Sequence, residues 1–464
     1  MIDNLLHSLM YLVECASFLV TAQIGTFVNP HSGGGKINAV ARDDRVLLID
    51  IDDYRVASTQ LGVTMIIEPV VKGVVARSAH PYGCQQAIRN QINYVSSAEP
   101  IVGGPKKVLI LGASSGFGLA SRISLAFGGS NADTVGVSFE RGPSEKGIGT
   151  AGWYNNIFFR EEAENNGLIG KNFVGDAFSV QMRQQVIDYI KAEFGGKLDL
   201  VVYSLATGVR PDPETGELWR SSIKTIGEPV TGPTINIETD TMEPMTIETA
   251  TEEEIEATKK VMGGEDWASW IDILSEAGVL AEGCKTVAYS YIGPEATHPI
   301  YHRGTLGRAK THLHATGDQL NDKMAQIGGE AYVSVCKALV TKASVFIPAF
   351  SPYILALFKV MKDKGLHEGC IEQMQRLFSQ RLYGQEKCVP VDRDRLIRVD
   401  DWELDEDVQQ QVSQLMAQIT PENFTTVGDY QRYKTDFMQL NGFWLEGVDY
   451  QARVNMETLK QLAP

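Results

Sequence analysis

The sequence predicts a doubly wound α/β fold, a mostly parallel sheet with helices on both faces. Two observations carry this expectation. From Met65 onward, short β-rich runs alternate with amphipathic helical stretches, the rhythm of strand–helix–strand units. One of the runs, Lys107–Leu111 (KVLIL), is wholly apolar after its lysine and ends at a glycine, as a parallel strand buried on both faces does. A chain of 464 residues has room for one large α/β domain with additions, or for two domains.

Taken in order, Val71–Ala76 (VKGVVA) reads as a strand and Gln85–Tyr94 as a helix. After Lys107–Leu111 come a helix over Leu119–Phe127, a strand over Thr134–Glu140 and a helix over Gln181–Phe194. Leu198–Ser204 and Thr286–Tyr291 read as further strands. Residues 209–250 break the rhythm. Pro211, Pro213, Gly216, Pro229, Gly232 and Pro233 punctuate alternating residues such as Thr234–Ile237, which predicts a β-hairpin insertion. Thr251 and Glu254 then fit a capping box, in which each side chain bonds the other residue's backbone N–H. Residues 265–280 read as a helix with Trp267, Trp270, Ile271 and Leu274 on one face. The acidic, amphipathic tail after Val399 belongs to a C-terminal helical region over about residues 365–464.

The first 64 residues stand apart. Leu5–Ala22 is apolar, but His7 and Glu14 interrupt it and no basic segment precedes it. A signal peptide fits poorly, and a membrane span would bury the Glu14 carboxylate at high cost. The glycines at 33–35 before Lys36 lack the spacing of a phosphate-binding loop. Residues 1–64 are therefore expected to be an extension, and 65–464 a single domain.

The formal charge is 42 − 58 = −16, which disfavours a nucleic-acid partner. The six cysteines form no C-x-x-C pair, and no His/Cys cluster has zinc spacing, so reduced thiols in the cytoplasm and no metal are expected. His298, His302, His312 and His314 lie near one another without a carboxylate at metal spacing. His80, before Pro81, reads as structural.

The strongest local signal is the run Gly112, Ala113, Ser114, Ser115, Gly116, Phe117 and Gly118 between a strand and a helix. A dinucleotide pyrophosphate needs a tight turn, a backbone without a Cβ in the way, and the free N–H groups of a helix start. The expected fold is thus Rossmann-type. Glu140 lies 22 positions beyond Gly118 at the end of the next strand. A carboxylate there bonds the adenosine ribose hydroxyls and repels an extra phosphate, which predicts NADH over NADPH. Asp176 with Ala177, and Leu205 with Ala206, follow further strand runs where a cofactor would pass.

Tyr301 and Lys310 are the catalytic candidates. An ammonium beside a phenol is expected to lower the phenol's pKa and ready it to serve a developing oxyanion. Nine positions at about 100° each put the two half a turn out of phase on one helix. Tyr301 is therefore expected before the helix, with the break at Pro299, Gly304 and Gly307, and Lys310 in an early turn of a helix from about Thr305 to Gln326. The apolar stretch Ala343–Leu357, with Phe346, Ile347, Phe350, Tyr353 and Ile354, reads as a wall for an acyl chain or as core packing.

The segment around Tyr301 resembles the FabV-type enoyl-acyl carrier protein reductases and the related trans-2-enoyl-CoA reductases, short-chain dehydrogenase relatives marked by Tyr-x8-Lys. MIIEPVVKGVVARSAHPYGC from Met65, VLILGASSGFGLASRI from Val108, GVSFERG ending at Gly142, TAGWYNN from Thr150, YSLATGVR from Tyr203, LVTKASVFIP from Leu339 and DDWEL from Asp400 are similar too. The resemblance spans 65–464 and implies NADH-dependent reduction of the trans-2 double bond of enoyl-CoA or enoyl-acyl carrier protein, by a monomer. It implies that Gly112 to Phe117 hold the pyrophosphate and ribose, Phe139 and Glu140 the adenosine, and Asp176, Ala177, Leu205 and Ala206 the rest of the cofactor wall. Lys310 would hold the nicotinamide ribose, with Leu339, Val340 and Thr341 at the nicotinamide. Tyr301 would be the proton donor and Tyr291 would contact the thioester. A related carbonyl reductase and a non-catalytic NAD-binding sensor are the competing readings.

Overall fold

The structure, a computed structural model, describes residues 64–145, 147–347, 351–386 and 388–464, with the backbone of four strands between 25 and 60. The chain divides into two compact units, residues 1–66 with 451–461 and residues 67–450 with 462–464. In the first unit, Gly25–Val28, Lys36–Arg42, Arg45–Asp50 and Val56–Gln60 form an antiparallel sheet in chain order. Thr64–Met65 there pairs with Val454–Asn455. The apolar run Leu5–Ala22 and glycines 33–35 lie outside the described residues.

The second unit is built on seven strands. They are β1 (Lys107–Leu111), β2 (Asp133–Ser138), β3 (Gly170–Val174), β4 (Leu198–Tyr203), β5 (Leu280–Ser290), β6 (Glu330–Val335) and β7 (Leu396–Arg398). They lie in the order β3-β2-β1-β4-β5-β6-β7, and every pairing is parallel. The winding reverses between β1 and β4, and such a switch point opens a crevice at the carboxyl ends of the strands.

Side chains alternate between the two faces of the sheet. Leu109 and Leu111, Val135 and Val137, and Val201 and Tyr203 meet α4 (Val180–Glu193), α6 (Glu265–Glu276) and α7 (Thr305–Met324) in one core. The predicted apolar face of α6 is real, since Trp267, Trp270, Ile271 and Leu274 are all fully buried. The Trp267 indole N–H donates to Thr286 Oγ1 at 2.9 Å, and that hydroxyl donates to the Val201 carbonyl at 2.9 Å. On the other face, α2 (Gly116–Phe127) carries the buried Arg122. It donates to Thr134 Oγ1, Asn172 Oδ1 and the Lys171 carbonyl at 2.9, 2.5 and 2.8 Å. Its guanidinium lies 4.1 Å above the Phe159 ring in α3 (Ala151–Asn165), and burial lowers its pKa to about 9.

The first predicted strand is corrected. Val71–Lys72 and Val75–Ala76 are two short antiparallel strands that turn at Gly73, because apolar alternation does not show where a chain reverses. The insertion holds two hairpins, Val209–Pro211 with Leu218–Arg220 and Val230–Asn236 with Thr241–Ile247. The capping box at Thr251 opens α5 (Glu252–Met262) as expected. His80 caps α1 (Pro81–Ser97) by accepting from the Gly83 N–H at 3.1 Å. The C-terminal region packs α8 (Ser351–Asp363), α9 (Cys370–Arg376), α10 (Glu406–Met416) and α11 (Tyr430–Gln439). Replacing Trp267 by Ala removes both a buried indole and the donor to Thr286. The expected loss is about 3–5 kcal/mol of stability, read as a lower urea midpoint.

Candidate active site

The crevice begins where β1 ends. Gly112 turns the chain with φ +89°, and its N–H donates to the Val137 carbonyl at 2.9 Å. A Cβ on Gly112 would lie 2.3 Å from the Ser204 carbonyl oxygen, and one on Gly118 would lie 1.9 Å from the Gly112 oxygen. No side chain fits at either position. Ser115, the N-cap of α2, makes no side-chain cap bond, which leaves the first-turn N–H groups and the positive end of the helix for a phosphate. The turn therefore fits the pyrophosphate of NADH.

Glu140 lies two residues beyond β2, and its carboxylate is fixed from several sides. Ser114 Oγ donates to Oε1 at 2.6 Å, Thr150 Oγ1 donates to Oε2, and Lys342 Nζ is 4.0 Å away. A Cβ on Gly152 would come within 1.9 Å of Glu140 Oε1, so the carboxylate sits over the start of α3. Its neighbour Phe139 is 77% exposed, a bare ring face beside the carboxylate. The Asp176 carboxylate accepts from the Phe178 N–H at 2.9 Å just after β3, and Ala177 is buried. Leu205 and Ala206 follow β4, half-buried and exposed. Leu339 and Val340 are buried, and a Cβ on Gly116 would lie 3.8 Å from the Thr341 methyl. The segment after β6 thus returns to the glycine turn.

The helix break falls where the spacing demands. A short helix, His298–Tyr301, ends before α7 begins at Thr305. Tyr301 stands ahead of α7 and Lys310 in its second turn. Tyr301 is 8% exposed and packs edge-on against Tyr291, with ring centroids 4.6 Å apart and planes at 72°. Lys310 Nζ donates to the Tyr289 carbonyl at 3.2 Å, and burial lowers its pKa to about 8. The expected effect on the phenol is corrected: burial, and then the charge of Glu403, push the Tyr301 pKa up. Both influences favour the protonated phenol over the phenolate.

Four residues were not singled out as site residues by sequence. Tyr289 of β5 links the crevice to Lys310: its hydroxyl is 2.5 Å from Ser121 Oγ of α2, and its ring centroid is 6.0 Å from that of Phe117. Glu403 is fully buried, and its Oε1 accepts from the Tyr291 and Tyr353 hydroxyls at 2.9 and 2.6 Å. Tyr353 reads from the sequence as acyl wall or core packing, but its hydroxyl is committed to this carboxyl. The buried Lys337, after β6, feels Glu403, yet burial dominates and lowers its pKa to about 8. Glu403 lies in the DDWEL stretch, the one sequence signal that pointed near it. Of the predicted acyl wall, Ile354 is buried, Phe346 is 52% exposed, and Phe350 lies outside the described residues. Val230, Pro233, Ile300, Pro352, Tyr353 and Met416 help line an apolar cavity of about 190 Å³. His312 accepts from the Gly264 N–H at 3.0 Å, and His314 Nε2 lies 2.8 Å from Ser290 Oγ. Among the described residues no helix is long and apolar enough to cross a membrane.

Comparison with known proteins reaches the same region. Models of the NAD(P)H binding domain of trans-2-enoyl-CoA reductase, the trans-2-enoyl-CoA reductase catalytic region and the enoyl reductase FAD binding domain match residues 66–145, 147–383 and 391–454. The residues of the third segment do not fit a flavin dinucleotide. The first glycine after β7 is Gly428, which packs on Leu355, so no glycine turn opens a helix behind that strand. Its carboxylates Asp400 and Asp401 are taken by Arg398, Arg376 and Arg381. An enoyl-acyl-carrier-protein reductase (NADH) 2 of Photobacterium profundum is 85% identical over 398 residues, 86% of this chain and 100% of its own length. A trans-2-enoyl-CoA reductase (NADH) of Clostridium beijerinckii is 54% identical over 402 residues, again 86% of this chain and 100% of its own length. The crystal structure of Clostridium acetobutulicum trans-2-enoyl-CoA reductase in complex with NADH superposes with a TM-score of 0.84 at 50% identity, covering 86% of this chain and 100% of that one. At such identity and coverage, the chain belongs to the family of NADH-dependent enoyl-acyl-carrier-protein and trans-2-enoyl-CoA reductases.

Proposed function

We propose that this protein reduces the trans-2 double bond of enoyl thioesters with NADH and so supplies saturated acyl thioesters for fatty-acid synthesis. One arrangement carries the reading. Tyr289 ties the helix of the glycine turn to Lys310, and two residues further on Tyr291 packs against the buried phenol of Tyr301. These contacts link a buried phenol to the strand ends that bear the glycine turn, which supports Tyr301 as the proton donor.

Bound NADH supplies a hydride to the β-carbon of the enoyl group. The chain's own residues do the rest. The first turn of α2 holds the pyrophosphate, and Glu140 takes the adenosine ribose hydroxyls against Phe139. Asp176, Ala177, Leu205 and Ala206 line the cofactor, with Leu339, Val340 and Thr341 at its nicotinamide end. Lys310 holds the nicotinamide ribose. As charge moves to the thioester oxygen, Tyr301 donates to it with help from Tyr291, and the α-carbon is then protonated. Burial of Tyr301 keeps water from its phenol, and the apolar cavity beside Ile300 and Tyr353 receives the acyl chain.

The thioester is carried by acyl carrier protein or by CoA, as the names of the two relatives suggest. The family resemblance supports a monomer. Free thiols at Cys84, Cys284 and Cys336 fit a reducing cytoplasm. The catalytic body is residues 65–464, with 1–64 an extension; the family models begin at residue 66.

NADH oxidation followed with crotonyl-CoA, longer enoyl-CoA and enoyl carrier protein tests the reaction, and no turnover with any of them would remove it. Tyr301→Phe is expected to lower turnover by about 10²-fold or more with NADH affinity nearly unchanged; wild-type turnover would take Tyr301 out of the mechanism. Glu140→Ala is expected to narrow the preference for NADH over NADPH, read as the ratio of kcat/KM for the two. Deleting residues 1–64 is expected to preserve both the thermal transition and the activity, and losing both would refute that boundary.

A further inference from the structure

We propose that Glu403 is a positioning residue that sets the direction of the Tyr291 hydrogen bond and holds the proton consumed in each turnover. The inference rests on the reduction proposed above.

The geometry around Glu403 is asymmetric. Oε2 accepts the Ala338 backbone N–H at 2.7 Å, which fixes that oxygen as an acceptor. Oε1 faces two hydroxyls, Tyr291 and Tyr353, which also hydrogen-bond one another. Tyr353 is held in place from α10, because Gln409 Nε2 donates to its hydroxyl at 3.1 Å and to the Glu403 carbonyl at 2.6 Å. Tyr291 differs from Tyr353 in that its ring leans on Tyr301. With Oε2 accepting from Ala338 and the Tyr353 oxygen already accepting from Gln409, a proton on Glu403 belongs on Oε1 and is directed to Tyr291.

A tyrosine hydroxyl has one proton to give. Against an ionised Glu403, Tyr291 directs its proton to Oε1 and presents only lone pairs to a thioester oxygen. Against a protonated Glu403 the bond reverses. The carboxyl donates to the Tyr291 oxygen, and the Tyr291 proton turns toward the substrate. Burial favours the neutral acid and raises the Glu403 pKa, although Lys337, Tyr353, Tyr291 and the Ala338 N–H all act the other way. Among the described residues these, with the Tyr301 phenol and Gln409 of α10, are the titratable and polar groups around it. An acid kept neutral by its surroundings so that it can donate is a recurring device in enzymes that stabilise enolates.

The balance closes on one proton per turnover. Once the enolate has formed, with Tyr301 hydrogen-bonded to its oxygen, the Tyr291 O–H bond breaks as its proton forms the new C–H bond at the α-carbon. The Glu403 O–H bond breaks as the Tyr291 oxygen takes the replacement. Glu403 is left as a carboxylate near the Lys337 ammonium and regains a proton from water before the next cycle.

The experiment uses the full chain and compares wild type, Glu403→Gln and Glu403→Asp. The readouts are kcat and KM for crotonyl-CoA across pH, and the infrared carbonyl band of a buried carboxylic acid. Glutamine offers an N–H to Tyr291 but no transferable proton. Glu403→Gln is expected to lose about 10²-fold in kcat with KM changed less than about threefold, and to lack the acid band. Wild-type kcat is expected to fall as rising pH ionises Glu403, and Glu403→Gln should lack that step. Glu403→Asp should keep the step at a shifted pH. A Glu403→Gln enzyme with wild-type kcat, or with lowered kcat and an unchanged pH profile, would overturn the assignment. Should Glu403→Gln fail to fold, an aspartate variant with an unshifted profile would do the same. Inactivity of the wild type toward every enoyl thioester would instead strike the reduction itself.

Discussion

The passage of the β1 turn against the end of β4 is the constraint on which the rest of the crevice depends. Gly112 and Gly118 leave no space for a side chain between the turn and Ser204. That closeness aims the start of α2 along the carboxyl ends of the strands. It also sets Ser114 where its hydroxyl reaches Glu140 and its carbonyl accepts from Asn155 Nδ2 at 2.9 Å. A looser turn would displace both the start of α2 and the Ser114 hydroxyl that holds Glu140.

Electrostatics in this acidic chain run against its net charge. The interior holds cations whose charge is disfavoured by burial: Arg122 behind α2, Lys310 on α7 and Lys337 after β6. Arg122 is satisfied by neutral oxygens and a ring face, a structural solution. Lys310 and Lys337 flank the tyrosines instead, one toward the cofactor side and one toward Glu403. The proposed chemistry thus sits between two ammonium groups in a medium where each interaction is stronger than in water.

Much of this was legible in the sequence because it is local. A strand, a glycine turn and a helix follow one another within residues 107–127, and the half-turn mismatch between Tyr301 and Lys310 forces the helix break that the structure contains. The face of Trp267 and Trp270 was visible from helical period alone. What spacing does not encode is which distant segment closes on a site. Glu403 reaches Tyr291 only because β7 joins β6 and the chain then turns back under α8. The direction of the Tyr301 pKa was misread for the same reason. A lysine nearby in sequence was visible, whereas burial and a carboxyl from the far end of the chain were not. The Val71–Ala76 hairpin was missed because its reversal is decided by one glycine in a left-handed conformation.

Tyr289 has a consequence beyond its place in the core. Its hydroxyl meets Ser121 on α2, and its carbonyl meets Lys310 on α7. Any ligand that draws the start of α2 toward itself loads this bridge and changes the free energy of the lysine's orientation. Thermodynamic linkage makes the effect reciprocal. Strain at the start of α2 and the orientation of Lys310 are then coupled through one residue of β5, by the same amount in either direction.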